Sequence, residues 1–404
     1  MSESAAVDTA GSPLRNIGLL ALAQAVVGSN QAVLGAVASL TAVAMVEDKS
    51  FSTVPVTFMT IGTALATGPA VYLLYRLGRR RGFILGAALA VPGSLLAAWA
   101  AWSHGFWLFC VALGLLGATS AFANQYRFAA ADSVPAQLKS RAISWVMAGG
   151  VISGFVGPWI SILTKDLVPG ISFVGTYIAM AGMALLAVGV LMRTQLAPLA
   201  RRVEGGRAGR SFKELLSTFE VLVPVIGGTA SFGLMVMVMV AAPLAMVTVC
   251  GHSTTDAALA IQWHIVSMFA PSFITGSVIQ RIGSHLTAAT GLLLIIMAAA
   301  VNLTGTEVYH FVLSMILLGV GWNFGFVAST ALLSTVYRPE EAAKVQGLNE
   351  QIVFGAMALA SILSGVLLNA IGWQSINVLV IPVATLAILI LGWGGMGRSR
   401  ARAA

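Results

Sequence analysis

Uninterrupted apolar stretches of about 20 residues recur along this chain, separated by short turns that hold nearly all of its charge. A helix of that length spans roughly 30 Å, the thickness of a bilayer's hydrocarbon core. Hydrophobic residues fill 58% of the 404 positions and charged residues only 9%. An ordinary soluble domain carries about 25% charged residues, so this chain has too little polar surface to clothe a water-soluble fold. The apolar runs are continuous rather than alternating, which excludes a β-barrel. The expectation is an all-α membrane protein.

Bounding each run by charges, Gly/Pro clusters or polar loops places spans near 14–45, 54–75, 83–102, 106–131, 141–163 and 171–193. Six more follow near 219–250, 258–281, 284–303, 308–336, 342–368 and 373–395. The chain thus divides into a tail (1–13), a six-helix half (14–193), a charged linker (194–218), a second six-helix half (219–395) and a tail (396–404). Assigning the turns to alternate sides puts 19 of the 22 Lys and Arg residues on one side and only Lys49 and Lys165 on the other, with Arg127 inside a span. Such bias marks the cytoplasmic face and predicts both termini there. The first run is too long for a signal-peptide core, so it reads as an uncleaved span of an integral multi-pass protein of the cytoplasmic membrane.

The halves also repeat. Tyr75-Arg76-Leu77-Gly78-Arg79-Arg80 after the second span has a counterpart in Gln280-Arg281-Ile282-Gly283-Ser284-His285 after the eighth, an offset of 205. Pro135 to Arg141 corresponds to Arg338 to Lys344 with an offset of 203. Two copies in the same orientation predict two pseudo-symmetric halves that rock against each other. On these residues the chain resembles the major facilitator superfamily, whose loop after the second span reads Gly-x-x-x-Asp-Arg-x-Gly-Arg-Arg. Arg76, Gly78, Arg79 and Arg80 match its basic part, and Arg281 and Gly283 echo it. The sequence departs from the pattern at Val71 and Tyr75 in the first copy and at Gln280 in the second. The resemblance implies twelve spans and solute transport by alternating access. The arginines serve as headgroup anchors or, beyond that, as parts of a gate.

Charged residues inside spans are costly, which singles out Arg127 and Glu350. Ser120, Asn124 and Arg127 share one face of the fourth span. Glu350 lies about eight residues, or roughly 12 Å, into the eleventh span. An Arg127–Glu350 pair joining the two halves would couple protonation to conformation. The alternatives are that Arg127 snorkels or pairs with Asp132, and that Glu350 caps backbone or binds Lys344. Gln24, Asn30 and Gln31 of the first span, Asn124 and Arg127 of the fourth, and Trp322, Asn323 and Phe326 of the tenth are candidates to line a solute cavity by hydrogen bonding and stacking. The amides serve helix–helix bonding equally well. His264 is read mainly as a packed residue.

No phosphate-binding loop, catalytic triad or metal-ligand cluster occurs, and two cysteines make no disulfide framework. The expected function is therefore not enzymatic. It is proton-coupled secondary transport of a small organic solute, carboxylate-bearing or neutral heteroaromatic, by a monomer without cofactor or nucleic-acid partner. A membrane sensor or scaffold that kept the fold is the rival reading.

Overall fold

The computed structural model describes residues 12–47, 51, 54–196 and 210–403. The first eleven residues of the predicted tail, Lys49, and the linker residues Arg201, Arg202 and Arg207 lie outside that set. Fourteen α-helices account for most of the described residues. They are α1 Pro13–Val43, α2 Val54–Leu77, α3 Arg79–Trp102, α4 Phe106–Ala123, α5 Tyr126–Ala131, α6 Lys139–Thr164 and α7 Val174–Met192. Then come α8 Phe212–Ser217, α9 Phe219–Leu244, α10 Thr254–Phe269, α11 Ser272–Ile282, α12 Ser284–Thr304, α13 Val308–Leu333 and α14 Ala342–Ala403.

Ten described helical stretches are long and apolar enough to cross a membrane. The eighth span is an eleventh crossing made of two pieces, α10 and α11, bent by 46° where Pro271 interrupts the helix. α14 is 62 residues long, far more than one crossing needs, and Gly372 breaks it with φ 79°. That turn separates the eleventh span from the twelfth. The fourth span also breaks, α4 giving way to α5 across Asn124 and Gln125.

One expectation needs correction. The basic motif after the second span is not a loop. Gly78 alone, at φ 81°, forms the turn, and Arg79, Arg80 and Arg81 are already the first turn of α3. Gly283, at φ 86°, does the same between α11 and α12. A left-handed backbone is cheap only for glycine, so one residue suffices to reverse the chain. The linker, for its part, contains a helix, α8. Its N-cap Ser211 accepts from Glu214 N while Glu214 bonds back to Ser211 N.

Packing groups the chain into two compact units. The first holds residues 1–134, 149–206 and 346–351, and the second holds 135–148, 207–345 and 352–404. Each unit therefore includes a short helical segment from the other sequence repeat. Inside the first unit α2 and α4 touch backbone to backbone: a Cβ at Gly62 or Gly117 would collide with the carbonyl of Gly114 or Met59. Thr63 Oγ1 bridges the pair by donating to Gly117 O at 2.9 Å. In the second unit Gly291 and Gly321 bring α12 and α13 equally close. Lipid provides no hydrophobic drive between helices, so such close van der Waals contact is what binds them.

One contact occurs twice with its bulk exchanged. In the second unit Gly276 of α11 lies against the start of α6, where its Cβ would fall 2.8 Å from Arg141 Cα and 3.0 Å from Ser144 Oγ. The repeat offsets map Gly276 onto Val71 and Ser144 onto Gly347. In the first unit Val71 of α2 does meet Gly347, whose Cβ would fall 3.2 Å from Val71 Cγ1. The small residue missing from α2 has moved to the facing helix. Gly347→Val should therefore overpack this contact and cost about 1–3 kcal/mol. Adding Val71→Ala should recover at least half of the loss of thermal stability in detergent. Simple additivity of the two changes would show that Val71 and Gly347 do not share one space.

Candidate functional site

The break between α4 and α5 sets the position of the charged centre of the first unit. After the turn at Asn124, which is half-buried, α5 lies wholly in the interior. Arg127 is 4% exposed, and its Nη2 donates to Glu350 Oε1 at 2.5 Å. Glu350 is 0% exposed and receives a second bond on that oxygen from Asn349 Nδ2 at 3.0 Å. Its Oε2 finds no hydrogen-bond partner among the described residues. Arg127 thus meets Glu350 in the interior rather than snorkelling, and Lys344 donates to Arg210 O. Asp132 accepts from Arg79 Nη2 at 2.5 Å and from Gln346 Nε2 at 3.1 Å. The segment 346–351 supplies a polar residue to each cluster.

The remaining motif arginines meet nearby surfaces. Arg80 Nη2 donates to Met192 O at 2.5 Å, at the C-terminal end of α7 where carbonyls lack helical partners. Arg76 lies over the Tyr72 ring at 5.5 Å. Arg281 is exposed in the last turn of α11.

The three amides of α1 separate. Gln31 Nε2 donates to Ser120 Oγ at 2.5 Å, and Gln24, seven residues earlier, is likewise only partly buried. Asn30 turns into the unit, 5% exposed, and donates to Met180 O of α7 at 3.2 Å. It lines a pocket of about 10 Å³, room for roughly one water.

In the second unit the tenth-span candidates also diverge. Asn323 is fully buried and fully used: Nδ2 donates to Met268 O at 2.7 Å and Ser272 Oγ at 2.6 Å, while Oδ1 accepts from Thr275 Oγ1 at 2.6 Å. It fastens α13 to the broken eighth span. Trp322 and Phe326 stack on one another at 5.3 Å and join further rings that the sequence reading did not single out, Phe232, Phe269 and Phe354. Phenylalanines in apolar runs carry no sequence signal of their own, whereas Gln346 stood in a conspicuously polar stretch with Asn349, Glu350 and Gln351. His264 is fully buried, with Nδ1 on Met315 O at 2.9 Å, and ties α10 to α13.

Two repeats of apolar helices in the same orientation, glycine-packed, with a buried ion pair and amide-bearing seams, define a polytopic membrane protein. The chain belongs to the Major Facilitator Superfamily, whose profile matches residues 20–349 and 224–402. The riboflavin transporter RfnT of Brucella anthropi is 39% identical over 379 residues, covering 93% of this chain and 95% of the relative. Among solved structures, a double-tryptophan mutant of XylE aligns with a TM-score of 0.77 at 14% identity, covering 95% of this chain and 96% of that one. The E. coli fucose:proton symporter FucP aligns at 0.73 and 15%, covering 95% and 98%. At such identities these two structures establish the shared fold.

A third ion pair lies outside the spans. Glu341, 0% exposed, takes Arg210 N and Nε at 3.0 Å each on Oε1, and Arg210 Nη2 at 2.8 Å and Arg338 N at 3.1 Å on Oε2. Lys344 Nζ completes the knot on Arg210 O at 2.7 Å. The knot secures the residue that leads into α8. The Arg210 side-chain bond, with the backbone donors, holds the Glu341 carboxyl down at about 2 despite its burial. A depressed carboxyl contributes stability that is complete above its unfolded value near 4.3 and is lost as pH falls toward 2. Glu341→Gln should therefore cost up to about 3 kcal/mol at pH 7, the gap to wild type closing between pH 5 and pH 2. Unfolding in detergent followed across that range checks it; a gap independent of pH would mean that the ionised carboxylate does not hold the knot.

Proposed function

We propose that this transporter moves a neutral, flat heteroaromatic solute of the flavin class across the cytoplasmic membrane by alternating access, driven by protons, as a monomer with both termini on the cytoplasmic side. The substrate class draws its support from the relative that transports riboflavin, which is similar over nearly the whole chain. It also fits the uncharged aromatic surface around Trp322. The basic excess on alternate turns supports the orientation.

The observation that carries the coupling is the buried Arg127–Glu350 pair. Two charges taken out of water need each other, and a well-packed apolar pair would be no less stable, so stability alone gives little reason for such a pair. Glu350 belongs by sequence to the second repeat and is held among residues of the first. A conformational cycle that parts the two would strand a carboxylate in a low-dielectric interior. Proton uptake relieves that state, and proton release accompanies re-pairing. Asp132, shared by Arg79 and Gln346, would tighten and release with the same segment.

Purified protein in liposomes, loaded by an imposed pH gradient, tests this reading. Wild type should accumulate riboflavin. Glu350→Gln should lose gradient-driven accumulation at least tenfold while still exchanging labelled for unlabelled solute. Full accumulation by the variant would remove Glu350 from the coupling step.

A further inference from the structure

The second unit contains a surface suited to recognising a flat ring. Trp322 and Phe326, four residues apart on α13, present one face and stack with an interplanar angle of 20°. Phe232 of α9 stands edge-on to Trp322 at 5.4 Å, to Phe326 at 5.0 Å and to Phe354 of α14 at 5.4 Å. Phe269 of α10 stands edge-on to Trp322 from another side at 5.8 Å. Four helices thus meet at a cluster of five rings. Trp322, Phe326 and Phe354 are buried, whereas Phe232 and Phe269 keep part of their faces open.

Within this cluster one polar atom is idle. Trp322 is 2% exposed and its Nε1–H finds no acceptor among the described residues. A buried donor without a partner is a standing cost, and phenylalanine would pack here without it. A proton directed at the face of a neighbouring ring recovers only a small part of that cost. The adjacent residue shows the contrast, since every polar group of Asn323 is engaged. About two turns further along α13, Ser329 Oγ is buried and finds no hydrogen-bond partner among the described residues. A Cβ at Gly228 of α9 would touch both Ser329 Cβ and Phe326, while the Ser329 hydroxyl itself faces Gly227.

We propose that this aromatic shelf receives the ring system of the solute, and that Trp322 Nε1–H is the donor that selects a ring bearing a hydrogen-bond acceptor on its edge. The proposal rests on the flavin-class reading and locates the recognition that reading requires. Stacking gives affinity for any flat, uncharged ring. The donor gives discrimination, because a ring without an acceptor leaves the N–H unpaired. Nε1 is covered, so a ligand reaches it when Phe232 or Phe269, the two partly open rings, swings aside.

The test uses the purified full-length protein with two fluorescent probes, riboflavin and lumichrome, the bare ring without the sugar-like chain. Wild type should quench the emission of both on binding, as an indole in contact with such rings does. Trp322→Phe, which keeps the packing, should remove most of the quench and raise KM for riboflavin uptake in proteoliposomes at least tenfold with less than threefold loss of kcat. Phe269→Leu, at a partly exposed position and so safe for folding, should raise KM several-fold and keep the quench at saturation. Riboflavin uptake by wild type with both variants within twofold of its KM would overturn the shelf and leave the transport reading standing. Trp322-dependent quenching of lumichrome without riboflavin uptake would support the shelf and overturn the flavin transport reading. Binding of neither probe by wild type would sink both.

Discussion

A hydrocarbon interior has no hydrogen bonds to offer, and that deficit organises this molecule. Backbone groups must be satisfied within the protein, which is why the described spans are built from helices, broken only at a few turns. Side-chain hydroxyls obey the same rule. Ser29, Thr41, Thr67, Ser231 and Thr287 each donate to the carbonyl four residues earlier in their own helix. Polar bonds that leave the helix are therefore few and informative. Within the units such bonds include those joining α1 to α4 through Gln31, α1 to α7 through Asn30 and Thr41, α2 to α4 through Thr63, α12 to α14 through Asn302 and Asn377, and α13 to the eighth span through Asn323 and His264. Each fixes a rotational setting that apolar packing alone would leave free to slip.

Close approach does the rest. With lipid as solvent, exchanging a lipid contact for a helix contact yields little by hydrophobicity, so the yield must come from fit. Glycines at the α2–α4 and α12–α13 crossings let carbonyls and Cα atoms meet directly. The exchanged bulk at Val71–Gly347 and Gly276–Ser144 follows from this. What a crossing requires is a limited total volume, and either helix can supply the small residue. Duplicated halves can then drift in sequence while the contact persists, and a motif read one helix at a time loses its glycine although the fold has kept its function.

Lipid also explains what could be read beforehand. It constrains every residue along a span, so the spans and the duplicated basic turns were legible, and Arg127 and Glu350 stood out as charges inside spans while their pairing stayed one option among several. What stayed hidden depended on rotation about a helix axis or on packing across sequence-distant segments. Asn30 and Gln31 are neighbours in sequence yet lie about 100° apart around α1, and only the structure turns one into the bundle and the other toward Ser120. Arg79 reads as one basic residue among several until Asp132, 53 positions away, is found opposite it. Phe232, Phe269 and Phe354 are indistinguishable by composition from phenylalanines that merely face lipid. The knot of Glu341 and Arg210 joins two loops whose charges look like membrane anchors when taken separately.

The distribution of charge bears on the kind of solute. A guanidinium inside a membrane is the natural receptor for a carboxylate, and on sequence alone Arg127 kept that option open. In the folded first unit its charge is already met by Glu350, and both side chains are almost fully enclosed. An anionic solute would have to displace that carboxylate and leave Glu350 buried without a counter-charge, a loss of several kcal/mol to be recovered from the new pair. An uncharged ring asks for no such exchange. On the proposed reading it would be held by stacking and a single donor in the second unit, and the ion pair in the first would be left to respond to protons. Neutral recognition would then leave the buried charges to coupling, because neither process would compete for the other's partner.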